Sequence, residues 1–472
     1  MKSEKLQDAI GMVDEKLVES SAKKSKFKFK WTAAVAAVLV IALIAGVYLR
    51  AGAPLSLKAY AVAEAKYPEM AHYPENEMLP GFDDRYDAWR EDRKRQREYY
   101  GAGENLDPFF EATISEFLAS EESENLVYSP LNVYMALAML AEITDGESRE
   151  QILDLLGAAN IETLRTEAHA VWNANYSDDG AVTSILASSL WLNEDVNFKE
   201  DTLETLSENY YASSYQGKMG SDKFGDAMKE WMNAQTGGLL RDYISEIEMT
   251  PETVMALVTT IYFRAKWENE FSESNNTNDV FHADSGDITC EFMNKTETYG
   301  SYYWGDKFAA TSVSLENSGN MWFILPDEGV NVQELLTDSQ ALSFMCANGD
   351  WENCKSLQVN LSIPKFDVKS KLNLSDGLKN LGVTDCFDAG DADFSPLVSS
   401  GQPVWLGNVE HGARVAIDEE GVTAAAYTVM MLCGAAMPPE DEVDFTVDRP
   451  FIFVITGSDG LPLFVGVVNN PM

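Results

Sequence analysis

The residues of this chain with catalytic chemistry are few and scattered. His72, His169, His282 and His411 are its only histidines, and no Gly-x-Ser-x-Gly elbow, His-Glu-x-x-His pair, phosphate-cradling glycine loop or Cys-x-x-Cys motif accompanies them. The spacing permits a triad without suggesting one, so no catalytic residue is assigned. Asp385, Asp388, Asp391 and Asp393 lie close in sequence but lack the Asp-x-Asp-x-Asp-Gly order and the distal Glu of a calcium loop. They read as a solvated loop, and no metal or cofactor is expected. Chemistry of another kind is written between Asp418 and Glu440. That stretch opens with acids and a glycine, runs through small and β-branched residues, and stops at Pro438-Pro439, which cannot continue a central strand. Val422, Ala424, Ala426, Thr428, Met430 and Leu432 would share one face of a strand, and Tyr427, its only aromatic, the other. Such a segment is suited to sliding between two existing strands.

Glu419, Glu420, Gly421, Val422, Ala424, Ala425, Ala426 and Thr428 follow the template Glu-Glu-Gly-Thr-x-Ala-Ala-Ala-x-Thr, and through them the chain resembles the serpin superfamily. Other family motifs stand in the family's order. They are Asn125 to Leu140, Trp231 to Leu239, Ile261 to Trp267, Pro364-Lys365-Phe366, Leu381 to Asp385, Asp448-Arg449-Pro450-Phe451 and Phe464 to Pro471. The match spans roughly Asn105 to Met472. Val422 departs from the commoner Thr, and Tyr427 from a small residue.

The resemblance implies a suicide inhibitor, not an enzyme: a serine protease cuts the exposed loop, the freed part inserts into the main sheet, and the acyl-enzyme is trapped in a one-to-one covalent complex. Counted from Glu419 with the family's spacing, the cut bond is Ala435-Ala436. An alanine before the bond suits a shallow pocket, hence elastase-like or subtilisin-like proteases rather than trypsin-like ones. Beneath the sheet opening the family pairs a histidine with serines and an asparagine; here Ser129, Asn132, Thr259 and His411 occupy those positions, with the amide changed sides, and Trp267 takes the place of the family's buried tryptophan. A non-inhibitory serpin acting as a binding or chaperone module is the alternative. A membrane-anchored sensor is a third reading.

Composition bounds the rest. Against 35 Lys+Arg stand 76 Asp+Glu, a formal charge of -41, which argues against nucleic acid as a partner. With 45% hydrophobic residues the chain can bury one large core, and a monomer is expected. Helical patterns at Pro108 to Ser120, Pro130 to Ile143, Ser148 to Leu156, Lys199 to Tyr211 and Lys223 to Ala234 precede most of the strand-like stretches, which include Met255 to Phe263, Met321 to Leu325, Ala413 to Ile417, Phe451 to Ile455 and Leu463 to Val468. Helices first and strands later predict an α+β fold, and the resemblance implies a serpin fold of about nine helices around three β-sheets with an exposed reactive-centre loop.

No residue from Trp31 to Leu49 is charged, and Lys23, Lys24, Lys26, Lys28 and Lys30 precede them. The run predicts a single-pass transmembrane helix at 31–49, with 1–30 a cytoplasmic leader and the domain outside the cell; a cleaved signal peptide is the other reading. Residues 50–103, without sustained periodicity, read as a partly disordered extracytoplasmic stalk before a serpin domain at 104–472. Five cysteines, Cys290, Cys346, Cys354, Cys386 and Cys433, are too few for a disulfide framework. Cys346 and Cys354 could close a short loop or remain thiols.

Overall fold

The computed structural model describes residues 55–74, 80–120, 124–245, 247, 249–399, 404–407, 409–422 and 441–472. They belong to one compact unit, Ala53–Met472. Seven strands of the first sheet matter here: β1 (Ala61–Ala63), β2 (Thr183–Asn193), β3 (Ala212–Gly217), β4 (Met255–Lys266), β5 (Phe366–Asn373), β6 (Glu410–Ile417) and β7 (Gly421–Val422). Their spatial order is β1-β3-β2-β4-β7-β6-β5, with Ser177–Asp178 pairing on β2. β4 and β6 are each neighbours of β7 rather than of one another.

Among the described residues the second sheet has nine strands. Two of the three expected sheets are continuous in it, because the long strand Gly286–Trp304 pairs with Thr277–Ala283 and Cys354–Pro364 and then, at its end, with Phe308–Ser314. Its inner strands Phe451–Thr456 and Pro462–Val468 are buried at every residue, as unbroken apolar runs covered on both faces should be. Helix α3 lies in the core between the layers. To place it, the helices used below are α1 (Phe82–Arg97), α2 (Asp107–Leu118), α3 (Pro130–Ile143), α4 (Ile161–Asn175) and α5 (Asp222–Gln235). α3 starts where Ser129 accepts a hydrogen bond from the Asn132 amide and Pro130 takes the first helical position, which needs no N–H. Thirteen of its residues are buried.

Two expectations are corrected here. The stretch 31–49 lies outside the described residues, and among the described residues no helix is long and apolar enough to cross a membrane. The single-pass, membrane-localised reading therefore loses its support. Residues 50–103 do not behave as a stalk in their described part. β1 pairs antiparallel with β3, Ala61 opposite Tyr215 and Ala63 opposite Ser214. Tyr67 packs among Trp172, Tyr176 and Tyr211, with ring centroids 5.4, 5.7 and 6.3 Å away. α1 turns one face inward through Trp89, Arg93 and Gln96, all buried. Trp89 Nε1 donates to Asp179 Oδ2 at 2.8 Å, and Gln96 Nε2 donates to the carbonyls of Ala174 and Tyr176 at 3.0 and 2.6 Å. Arg93 donates to Gln96 Oε1 at 2.8 Å, Ser177 Oγ at 3.1 Å, Ser458 Oγ at 3.4 Å and the Asn317 carbonyl. The buried face follows helical spacing, but two of its three residues are polar, so a hydropathy pattern does not register it.

Cys290, Cys346, Cys354 and Cys386 are free thiols, which resolves the Cys346 and Cys354 alternative in favour of no bond. Arg93 spans both sheets, from Ser177 on the first to the turns at Asn317 and Ser458 on the second. Arg93→Ala strips donors from several buried acceptors, and urea unfolding should register a loss of about 2–3 kcal/mol.

Candidate functional site

The site is built where β6 ends and the chain reverses. Asp418 makes the reversal: its amide donates to the Gly421 carbonyl at 3.1 Å, and its Oδ1 accepts from the amides of Glu420 at 3.0 Å and Gly421 at 3.2 Å. Burial pushes its carboxyl up, against those two amides, and neighbouring Glu420 and Glu419 add to the rise. The turn delivers Gly421 and Val422 as β7. Val422 pairs with Ile417 of β6 on one side and Ala265 of β4 on the other, and Gly421 pairs with Lys266. Only glycine fits at 421. A Cβ there would stand 2.4 Å from the Ala265 carbonyl oxygen and 2.7 Å from Lys266 Cα, both backbone atoms that cannot swing aside. Val422 is 2% exposed and shares the inward face with Ala265 and Ile417.

Three groups pin the turn. Trp267 donates through its amide to the Glu420 carbonyl at 3.1 Å and through Nε1 to the Asp418 carbonyl at 2.8 Å. The Phe271 amide donates to the Glu419 carbonyl at 2.9 Å, with its ring edge-on to Trp267. The Glu419 carboxylate is held by Lys365 Nζ at 2.5 Å and by Asn276 Nδ2, while Lys365 also reaches Glu291 at 2.8 Å. Burial raises the Glu419 carboxyl, but the bonds from Lys365 and Asn276 outweigh it and leave the pKa below the usual range. This latch is absent from the sequence reading, which named Glu419 and Lys365 in separate motifs. Lys365 sits between buried Pro364 and Phe366 at the junction of two strands. A lysine between buried neighbours asks for an acid, and that demand was the available signal.

Lower in the sheet the structure brings Ser129 and His411 together. The Ser129 amide donates to His411 Nε2 at 3.1 Å, so the imidazole is neutral with its proton on Nδ1. Ser129 Oγ donates to the Leu463 carbonyl at 2.6 Å, tying the α3 cap to the second sheet. The His411 ring lies edge-on to Tyr128 at 5.3 Å, and burial pushes its pKa down to about 4. Asn132 joins through its backbone amide, 3.4 Å from Ser129 Oγ. Thr259 is on β4 opposite Ser188. Among the described residues no hydrogen bond links the Asn132 or Thr259 side chain to His411, so the amide exchange is not expressed as a shared network. Ala424, Ala425, Ala426, Thr428 and the bond Ala435-Ala436 lie outside the described residues.

Comparison with known proteins bears on this arrangement. A family model described as Serpin (serine protease inhibitor) matches residues 109–471. The chain is 28% identical over 371 residues to Serpin-ZX of Arabidopsis thaliana, covering 74% of this chain and 93% of that protein. It is 27% identical over 399 residues to Alpha-1-antiproteinase of Rattus norvegicus, covering 82% of this chain and 93% of that protein. Among solved structures, the thermophilic serpin tengpin in the native state superposes with a TM-score of 0.70 at 24% identity, over 87% of this chain and all of that one. A thyroxine-binding globulin complexed with thyroxine superposes with a TM-score of 0.65 at 20% identity, over 78% of this chain. At these identities the two structural likenesses speak to the fold.

His411 carries a pH dependence whose sign follows from its lowered pKa. Above about 6.5 the ring is neutral in both folded and unfolded chains, and the full stability is present. Between about 6.5 and about 4 the unfolded chain takes up a proton that the folded one refuses, so stability falls as pH drops. Unfolding free energies measured across that window should decline by roughly 3 kcal/mol from this group. His411→Gln should flatten that part of the curve.

Proposed function

This chain belongs to the serpin family of protease inhibitors, and we propose that within it the chain acts by strand insertion after cleavage, trapping an elastase-like or subtilisin-like serine protease as a covalent one-to-one adduct. The observation that carries the reading is β7, two residues of the hinge already paired on both sides between β4 and β6. On insertion, a strand that continued those registers would carry Ala424 between Phe263 and Val415, Ala426 between Ile261 and Ala413, and Thr428 between Thr259 and His411. The flanking Phe263, Val415, Ile261 and Ala413 are buried, so the inward face asks for small uncharged residues, and the sequence offers them.

The energetics favour insertion once the loop is cut. Each added backbone hydrogen bond contributes about 0.5–1.5 kcal/mol net, and each large side chain buried about 1.5–3 kcal/mol. Residues 423–432 would gain both kinds along two ladders, on the order of 10 kcal/mol or more, comparable with the roughly 5–15 kcal/mol that keeps a partner protease folded. The uncut loop is tethered at Asp441, where the strand Glu442–Thr446 begins. Cleavage removes that tether, so the barrier rather than the end state is what the protease changes.

Family spacing assigns the cut to Ala435-Ala436, and the small residue before it selects a shallow pocket. A denaturant-resistant adduct should therefore form with elastase-like or subtilisin-like enzymes, and the released C-terminal peptide should begin at Ala436 by mass spectrometry. A peptide beginning at Met431 or Cys433 would undo the small-pocket assignment, and no adduct with any serine protease would favour a binding role. Val422→Arg drives a charge toward the inward face, where an unpaired ion costs several kcal/mol. The variant should be cleaved as an ordinary substrate without adduct.

A further inference from the structure

One short segment crosses the outward face of the first sheet from β4 to β6. Ile261, Phe263 and Ala265 of β4 and Ala413, Val415 and Ile417 of β6 are buried on the inward face, so Tyr262 and Arg414 project from the other. Val422 pairs antiparallel with both Ala265 and Ile417. Tyr262 and Arg414, each three residues before those partners, therefore stand level on either side of the seam between β4 and β6. Above them runs the chain that leaves α5. Gly237 and Gly238 are both left-handed, with φ of 57° and 78°, and the Gly238 amide donates back to the Asn233 carbonyl at 2.8 Å, which ends the helix. Gly237 rests on β4: a Cβ there would lie 2.9 Å from the Tyr262 ring. Two residues on, the Leu239 carbonyl accepts from Arg414 Nη1 of β6 at 3.2 Å.

The segment from Gly237 to Leu239 is thus a strap over the seam, and the reach of Arg414 completes it. Strands that flank a third lie about 10 Å apart, whereas two residues of chain extend about 7 Å at most. The long side chain supplies the difference. Its guanidinium is held for the purpose, because Asp367 of β5 accepts from Nε at 2.8 Å and from Nη2 at 2.6 Å, a two-pronged grip that leaves Nη1 for the strap. A lysine, with one charged nitrogen, has no such fork. We propose that Arg414 ties the strap across the seam and so sets the rate at which β4 and β6 admit a strand. Entry of a strand beyond β7 lays further outward side chains beneath the strap, the strap rises, and the Nη1 bond to Leu239 breaks as it does. Arg414 is then a positioning residue, acting on insertion through the strap. This inference rests on the strand-insertion reading and adds the contact that resists it.

The test compares the full-length parent with Arg414→Met, Arg414→Lys and Asp367→Asn. Hydrogen exchange is followed on intact chains; separately, each chain is nicked in its loop by a low dose of a non-target protease, and the rate at which it becomes heat-resistant is measured. Nicked Arg414→Met should gain heat resistance about fivefold faster than the parent, the effect of one lost hydrogen bond on a barrier. Intact Arg414→Met should exchange faster in β4 and the strap while the strand Phe451–Thr456 of the second sheet exchanges as in the parent. Arg414→Lys should behave like Arg414→Met, and Asp367→Asn should fall between it and the parent. An Arg414→Met variant that inserts at the parent's rate, an Arg414→Lys variant that matches the parent, or exchange that rises equally in Phe451–Thr456 overturns the tie while leaving insertion standing. A nicked parent that gains no heat resistance overturns insertion; faster β4 exchange in intact Arg414→Met then still supports the tie, and unchanged exchange overturns it.

Discussion

At residue 421 one backbone comes so close to another that no side chain can stand between them. Gly421 lies against the carbonyl of Ala265 and the Cα of Lys266, and this contact lets a two-residue strand pair with β4 and β6 at once. Everything around it serves to keep the chain at that distance. Asp418 folds the turn with its own carboxylate, Trp267 grips two carbonyls of the turn, and Lys365 and Asn276 hold Glu419 in place. The strand Gly421–Val422 is thus held as a fixed wedge between β4 and β6.

The charge imbalance of the chain makes its few bases informative. Surface ion pairs contribute little in such an acidic protein, yet several bases are committed inside it. Arg93 is buried across two sheets, Lys365 sits between Glu291 and Glu419, and Arg165 grips buried Glu142 through Nε at 3.0 Å and Nη2 at 2.7 Å. These cations satisfy polar groups that folding removes from water, where an unpaired charge or carbonyl is most costly.

The sequence made the layered architecture legible because it is written in local pattern. The expected helix Pro130 to Ile143 has the bounds of α3, and Pro108 to Ser120 differs from α2 by one residue at its start and two at its end. Both carry apolar faces and proline starts, which hydropathy and helix chemistry register directly. What stayed hidden is held by polar contacts between distant segments. α1 buries Arg93 and Gln96, residues that composition assigns to solvent, so its packing left no apolar trace. The Lys365 and Glu419 latch joins residues far apart in the chain, and neither charge names its partner. Among the described residues the side chains of Asn132 and Thr259 make no hydrogen bond to His411, which takes its bond from the Ser129 amide instead, so motif positions alone did not give the bonding pattern.

The connections of α1 also set an order of events in synthesis. Its residues leave the ribosome early, but Arg93 waits for Asn317 and Ser458, the second near the end of the chain, and the strand Leu126–Tyr128 waits for Pro462–Val468. Contacts of such long sequence separation form slowly, because loop-closure entropy must be met before they give any return. Neither the clamp nor the second sheet can close until Ser458 and the strand Pro462–Val468 emerge. The nascent chain therefore spends most of its synthesis with both ends of its architecture open, and exposed strand edges in that interval are sites of misassociation. Loss of the strand Pro462–Val468 would remove both the acceptor of Ser129 Oγ and the pairing partner of Leu126–Tyr128 at once, so correct assembly of this sheet is in effect a check on whether that strand was made.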